Sequence, residues 1–92
     1  LHTAAGFGRL EILKVLLESV RAKLSDQELS KLLNLGNNRG NTALMLATIN
    51  NQYECAKALI EEGADLSKTQ DQGQNVYHLA AGYNRLEVLE LL

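Results

Sequence analysis

Apolar residues recur along this chain at the spacing of short helices separated by polar turns. One stretch runs from about Ala43 to Asn50, where small alanines lie beside leucines behind Thr42, a residue suited to capping a helix. A second stretch runs from about Tyr53 to Glu62 and carries its apolar side chains on one stripe. Gly63 follows and favours the left-handed conformation that ends a helix. The pattern predicts a helix-turn-helix unit followed by a polar turn.

The same unit is present three times. Residues 42–47 align with residues 75–80 at an offset of 33, and residues 10–18 align with residues 53–61 at an offset of 43. A period of this size is typical of a solenoid, in which each unit covers the apolar face of its neighbour. The first and last copies are incomplete, so we expect a fragment of a longer array.

The first and second copies are separated by an insertion. Between Val20 and Gly40 the chain has 19 residues, whereas the next copy has nine between Gly63 and Gly73. Valine disfavours the left-handed conformation, so we predict that the helix containing Val20 continues to about Lys23. The capping-box sequence Ser25-Asp26-Gln27-Glu28 and the leucines that follow it predict an additional helix over roughly 26–34. A turn at 36–40 should then precede the second copy.

These features resemble the ankyrin repeat family, which has a Thr-Pro-Leu-His-x-Ala signature. The matching stretches are Leu1-His2-Thr3-Ala4-Ala5, Gly40-Asn41-Thr42-Ala43-Leu44-Met45-Leu46-Ala47, Gly63-Ala64-Asp65 and Val76-Tyr77-His78-Leu79-Ala80-Ala81. The resemblance implies an all-α solenoid of helix-turn-helix units with projecting turns. We divide the chain into a partial repeat at 1–20, a helical insertion at 21–36, a complete repeat at 37–69 and a partial repeat at 70–92.

The sequence departs from the family signature at positions with defined structural roles. Ala43 and Val76 replace the proline, Met45 replaces the histidine, and Asn51 and Asn84 replace the glycine between the two helices. Asparagine accepts a left-handed conformation better than other non-glycine residues do. We therefore expect both inter-helix turns to survive.

Composition excludes several classes of partner. Nine Lys and Arg against eleven Asp and Glu give a formal charge of -2, which lacks the positive field that nucleic acids or anionic membranes require. No apolar run reaches the roughly 18 residues of a membrane span. A single cysteine and the lack of an Asn-x-Ser/Thr site suit a reduced, intracellular environment. We expect a cytoplasmic protein that binds neither nucleic acid nor membrane.

No group of residues predicts catalysis or a metal site. His2 and His78 lie at equivalent positions of non-adjacent copies without a third ligand, and in the family this histidine makes structural hydrogen bonds. Cys55 aligns with Ile12 and Val88 on the apolar stripe, which predicts that all three are buried. We expect no cofactor, no small-molecule substrate and no enzymatic activity in this chain.

The resemblance implies binding of a protein partner through the projecting turns and the concave face of the first helices. The corresponding residues are Asn38, Arg39 and Asn41 in the second copy, Asp71, Gln72 and Gln74 in the third, and Phe7, Asn50 and Tyr83 at the ends of the first helices. Phe7 and Tyr83 either contact the partner, as exposed aromatic anchors do, or pack against the neighbouring turn. The sequence does not identify the partner.

Three functional hypotheses follow. The first is a non-catalytic protein-binding module. The second is a targeting or regulatory segment of a larger enzyme or effector, because Leu1 lies inside the signature and Leu92 lies within a second helix, so that neighbouring repeats are expected at both ends. The third rests on a similarity to the early repeats of IκB-like inhibitors and the inhibitory tails of NF-κB precursors. The similar features are the initial Leu-His, the extended second helix, the inserted segment with Ser25-Asp26, and residues 63–67 and 76–81. That family retains Rel transcription factors in the cytoplasm.

Overall fold

A computed structural model describes all 92 residues, which form seven α-helices and no strand. The helices are α1 (His2–Gly6), α2 (Leu10–Lys23), α3 (Asp26–Leu33), α4 (Ala43–Ile49), α5 (Tyr53–Glu61), α6 (Val76–Gly82) and α7 (Leu86–Leu91). The principal extents of the chain are 36 × 24 × 21 Å. This elongated shape is the one expected when repeats stack along one direction.

The helices are arranged in two rows. The short first helices α1, α4 and α6 form an inner row in which α4 contacts both of the others, and α2, α5 and α7 form an outer row in the same order. Each inner helix also contacts the outer helix that follows it in the chain. The apolar core lies mainly between the two rows, with Leu13, Leu44, Leu59 and Val88 almost fully buried.

The predicted helix ends agree with the structure to within one residue. Helix α2 continues through Val20 to Lys23, as predicted because valine disfavours the left-handed conformation, and α3 begins at Asp26 and ends at Leu33. Asn51 and Asn84 adopt φ values of 56° and 57°, so the prediction that asparagine would preserve the two inter-helix turns is confirmed. Backbone preference decides the two asparagine turns and the continuation of α2, and a side-chain cap decides the start of α3.

Helices α4 and α6 begin with matching caps. Thr42 Oγ1 accepts a hydrogen bond from the Met45 backbone N–H at 3.3 Å, and Asn75 Oδ1 accepts one from the His78 backbone N–H at 3.1 Å. The reciprocal bonds run from the backbone N–H of the capping residue to Met45 Sδ, at 3.4 Å, or to His78 Nδ1, at 3.1 Å. Met45 therefore supplies a sulfur acceptor, a weaker one, where the family has a histidine.

The expectation that Ile12 is buried like its aligned residues is wrong. Its side chain is 56% exposed, whereas Cys55 and Val88 are 1% and 0% exposed. Helix α5 has outer-row neighbours on both sides, in α2 and α7, but α2 has one only in α5. Val15 and Leu16 are exposed beside Ile12 for the same reason.

Cys55 is buried as expected, and this burial, reinforced by the charge of Glu54, raises the pKa of its thiol.

Helix α3 owes its start to a capping box. Ser25 Oγ accepts a hydrogen bond from the Glu28 backbone N–H at 3.2 Å, and Glu28 Oε1 accepts one from the Ser25 backbone N–H at 3.1 Å. The bond from the Ser25 backbone N–H, and after it the Ser25 hydroxyl, lower the pKa of the Glu28 carboxyl below its ordinary value. We expect Ser25→Ala to lower the free energy of unfolding by about 1 kcal/mol.

The Glu28 carboxylate should make the same region pH-sensitive. A pKa lowered by folding contributes stability above the ordinary pKa of the group, and the contribution is lost as the pH falls through the lowered value. Urea unfolding followed by circular dichroism should show Glu28→Gln less stable than the original chain at pH 7, and the difference should shrink as the pH falls below the ordinary pKa of glutamate and through the lowered one. Glu11→Gln, in the first turn of a helix without a side-chain cap, is the matched control and should change less. A pH-independent difference for Glu28→Gln would contradict this account.

Candidate functional site

Two projecting turns of the same construction lie next to the inner helices. The Asn37 backbone N–H donates to Asn41 O, and the Gln70 backbone N–H donates to Gln74 O, both at 2.9 Å. Asn37 Oδ1 accepts from the backbone N–H groups two and four residues later, each at 3.0 Å. Gln70 Oε1 does the same at 2.7 and 3.0 Å. A side-chain amide oxygen at the start of each turn therefore holds its shape.

The two turns are joined to each other. The Asp71 backbone N–H donates to Arg39 O at 3.0 Å, which ties the tip of the third copy to that of the second. Gly40 and Gly73 follow the tips with φ values of 78° and 77°, a left-handed conformation that glycine adopts without strain. The turns thus form one continuous wall.

A groove of about 430 Å³ lies between this wall and the inner helices. The wall contributes polar side chains, and helices α4 and α6 contribute a floor of Leu46, Ile49 and Leu79, with Tyr83 at one end. Leu46 and Ile49 are only half-buried, so their apolar surface is open to the groove. The structure therefore combines an apolar floor with polar walls, a combination common in binding sites.

The groove brings together six of the nine residues proposed from the sequence. These are Arg39, Asn41, Asp71, Gln72, Gln74 and Tyr83, whereas Phe7, Asn38 and Asn50 lie outside it. The sequence analysis missed five further lining residues: Asn37, Gln70, Leu46, Leu79 and Ile49. The first four form two pairs related by the 33-residue offset, so the repeat itself carried the signal for them.

Asn41 is placed differently from the sequence expectation. It was expected at an exposed turn tip, but it is only 7% exposed, because its backbone closes the base of the turn directly before the Thr42 cap. Its Oδ1 is buried and has no hydrogen-bond partner within the chain.

The three residues at the ends of the inner helices differ from one another. Phe7 is 72% exposed, so it does not pack against its neighbouring turn. Tyr83 is 49% exposed, and the Arg85 guanidinium carbon lies 5.9 Å from its ring centre, within the range of a cation–π contact. Asn50 Nδ2 donates to Gly6 O at 2.9 Å, so its amide joins two inner helices.

Arg85 is a structural residue that the sequence analysis did not single out. Its Nε and Nη2 both donate to Ile49 O, at 3.2 and 2.7 Å, which satisfies a carbonyl at the end of α4. The same guanidinium contacts the Tyr83 ring. Arg85 therefore positions the aromatic end of the groove.

The charges of the groove balance. Arg39 and Asp71 are its only ionisable groups apart from the Tyr83 phenol, and the remaining polar side chains of the wall are neutral amides. Nowhere in the chain do three or more His, Cys, Asp or Glu side chains gather in a way that could hold a metal ion. None of the helices has the length and apolar content needed to cross a membrane.

Comparison with known proteins agrees with this architecture. The family model for ankyrin repeats, which contains three copies of the repeat, matches residues 1–92. The chain is 33% identical over 92 residues to the nuclear factor NF-kappa-B p105 subunit of Rattus norvegicus, covering all of this chain and 9% of that protein. It therefore spans a small part of this relative.

Solved structures give the same result. One similar chain belongs to the crystal structure of the yeast ribosomal protein Rps3 in complex with its chaperone Yar1, with a TM-score of 0.94, 30% identity, and coverage of 99% of this chain and 61% of that chain. The human ASB11 ankyrin repeat domain has a TM-score of 0.76 and 26% identity, with coverage of 98% and 36%. Together with the stacked helix pairs and joined turns, these findings show that the chain belongs to the ankyrin repeat family, whose repeats are non-catalytic protein-interaction modules.

Proposed function

We propose that this chain binds a protein partner along its concave side, with the groove between the turns and the inner helices as the centre of the contact. The observation that carries the proposal is the convergence of six sequence-predicted residues on one groove with an apolar floor. A partner is also consistent with the Rps3–Yar1 crystal structure, in which a similar chain occurs in a complex of a ribosomal protein with its chaperone.

Tyr83 is the anchor that we expect to contribute most. Aromatic side chains at the centre of interfaces supply a large share of binding energy, and Tyr83 combines a half-exposed ring with a fixed position. Arg85 contacts that ring, and the Arg85 guanidinium is itself held by two hydrogen bonds to Ile49 O. The entropy cost of fixing the Tyr83 side chain when a partner binds is therefore small. Phe7 offers a second exposed ring at the equivalent position of the first copy.

Replacing Phe7 and Tyr83 together by alanine should weaken partner binding at least tenfold without loss of helicity. The tagged chain would be used for affinity capture with quantitative mass spectrometry, and the recovered partner would then be purified and titrated by calorimetry. Lys57→Ala, on an exposed position of the outer helix α5, is the matched control and should leave the affinity unchanged. A purified partner whose affinity is the same for both variants would show that binding uses another face.

A second candidate partner is a Rel transcription factor. The observation that favours it is the 33% identity to the p105 subunit of NF-kappa-B over the whole of this chain. In this case the chain would act as part of an inhibitor that keeps the factor in the cytoplasm. Titration of a purified Rel homology dimer tests the proposal directly, and absence of binding at about 10 µM, an affinity of roughly 7 kcal/mol, would dispose of it.

We propose further that other repeats or domains accompany this chain in its parent protein. The exposed stripe of Ile12 and Leu16 occupies the positions at which Cys55 and Leu59 are covered by a neighbouring helix pair. A preceding repeat would cover it in the same way. The alternative proposal is that the parent protein carries a catalytic domain that this chain targets or regulates. Measurement of the activity and of the cellular location of the full-length protein, with and without residues 1–92, tests it.

A further inference from the structure

A separate cleft of about 450 Å³ lies on the inserted segment. Its lining residues are Ser30, Lys31, Asn34, Leu35, Gly36 and Lys68. None of them lines the concave groove, and five of the six belong to the insertion. The insertion makes the link between the first two copies ten residues longer than the next one, 19 against nine. The cleft is therefore a feature of this chain and not of the repeat.

Hydrogen bonds of Asn34 fix the shape of the cleft. Its Nδ2 donates to Ser30 O at 2.8 Å, and its Oδ1 accepts from the Asp65 backbone N–H at 2.8 Å. The second bond joins the insertion to the loop that follows α5. In addition, His2 Nε2 donates to Leu35 O at 2.7 Å, which ties the end of the insertion to α1. The two sides of the cleft are thus held before a ligand arrives, which lowers the entropy cost of binding.

The ionisable side chains of this cleft are all basic. They are the ammonium groups of Lys31 and Lys68, whereas the concave groove and the three clefts along α2 each contain a carboxylate. The single ion pair of the chain lies elsewhere, between α2 and the end of α5. The carboxylate of Asp65, three residues before Lys68, accepts two hydrogen bonds from Ser67. Two cations without an ion-pair partner at one cleft favour a ligand with negative charge.

Other groups of the cleft restrict the ligand further. Ser30 is exposed, and the Gly36 backbone N–H donates to no group within the chain, so both can donate to an anion. Leu35 is 58% exposed in the same lining. A small inorganic anion has no apolar group to place on this side chain, whereas a polypeptide has one. The charge of -2 on the whole chain matters less, because salt screens charges more than about 8 Å away.

We propose that the cleft on the insertion binds an acidic segment of the partner protein. Two carboxylates of the segment pair with Lys31 and Lys68, and an apolar side chain next to them lies on Leu35. The proposal rests on the protein-binding role proposed above and adds a second contact to the one on the concave side. Exposed charge pairs contribute little affinity, so this contact serves mainly to select among partners.

Titration of the nitrogen-15-labelled chain with a synthetic acidic peptide tests the cleft. The probe is Gly-Glu-Glu-Leu-Glu-Glu-Gly, and its matched control has Gln in place of every Glu. Amide NMR signals of residues 30–36 and 68 should shift with the acidic peptide and not with the control. Raising NaCl from about 50 to about 500 mM should weaken binding roughly fivefold, because salt screens exposed charges. Shifts centred on the concave groove, or equal shifts with the Gln peptide, would overturn the proposal.

The combined change Lys31→Gln and Lys68→Gln should weaken peptide binding about fivefold or more. Both lysines are exposed and belong to no ion pair, so the melting temperature should stay the same. The matched control is Lys14→Gln with Lys57→Gln, which removes the same charge from a cleft that also contains two glutamates. This control should leave the affinity within about twofold. Equal losses in the two double variants would mean that net charge alone attracts the peptide, and the proposal would fail.

The purified protein partner separates this contact from binding on the concave side. If the Phe7 and Tyr83 double variant weakens the partner while the lysine double variant does not, the concave role stands and the acidic contact fails. If only the lysine double variant weakens it, the acidic contact stands and the concave role fails. If neither variant weakens it, both proposals fail.

Discussion

Replacing Leu59 with alanine should lower the free energy of unfolding by about 3 kcal/mol, which is a large share of the roughly 5–15 kcal/mol that stabilises a small domain. Leu59 is fully buried in α5, the helix that contacts α2, α4 and α7. Removal of its branched end leaves a cavity that three helices would have to close together. The loss therefore combines reduced apolar burial with unfilled space.

Leu16→Ala is the matched control for this substitution. Leu16 occupies the same register 43 residues earlier, but it is 38% exposed because α2 has an outer-row neighbour only on the side of α5. Truncation there removes less buried surface and leaves no closed cavity, so we expect a loss below about 1 kcal/mol. Equilibrium urea unfolding of both variants gives the comparison. Equal losses would mean that Leu16 is covered in solution, and sedimentation would then reveal self-association.

The second large effect is expected from Gly40→Ala, at about 2–3 kcal/mol. Alanine at φ 78° carries the left-handed penalty of about 1–2 kcal/mol. In addition, its Cβ would lie 3.0 Å from the Asp71 backbone nitrogen and 2.6 Å from Asp71 Oδ1. The carboxylate can turn away, but the backbone nitrogen cannot move without stretching its hydrogen bond to Arg39 O. The substitution therefore also weakens the hydrogen bond that joins the two turns.

Gly73→Ala isolates the contribution of that contact. Gly73 has nearly the same φ, 77°, but an added Cβ there meets no atom within 4 Å. Its substitution should cost only the left-handed penalty, about 1–2 kcal/mol. The excess loss at Gly40, measured by thermal or urea unfolding, reports the joining of the turns, and an absent excess would contradict it. Because the bond between Asp71 and Arg39 lies in the wall of the groove, Gly40→Ala should weaken partner binding more than Gly73→Ala does.

The inserted segment shows how far local chemistry carries a prediction. The continuation of α2 past Val20 and the start of α3 behind Ser25 follow from backbone preference and from a side-chain cap. Both depend on residues within one or two turns of the position concerned. The left-handed Asn51 and Asn84 belong to the same class. Such features can be predicted without knowledge of the neighbouring units.

The groove was predicted less completely. The resemblance to the family named Tyr83 and four turn residues that line the groove, but it also named Asn38, which lies outside the groove, and put Asn41 at an exposed tip. It left out the floor residues Leu46 and Leu79, which a period-based argument assigns to helix packing. A half-buried helix side chain can also line a groove. The distance between two neighbouring copies decides whether such a side chain is covered or open to the groove.

The chain's own residues determine its repeat, its helix ends and its caps, because each depends on interactions between positions close in sequence. The stacking of the copies decides which of two equivalent side chains is buried. Ile12 and Cys55 share a register, and so do Gly40 and Gly73, yet each pair differs in exposure or in contacts. The reason is that a side chain in a solenoid is buried by the adjacent unit, and the sequence pattern of a single repeat contains no information about that unit.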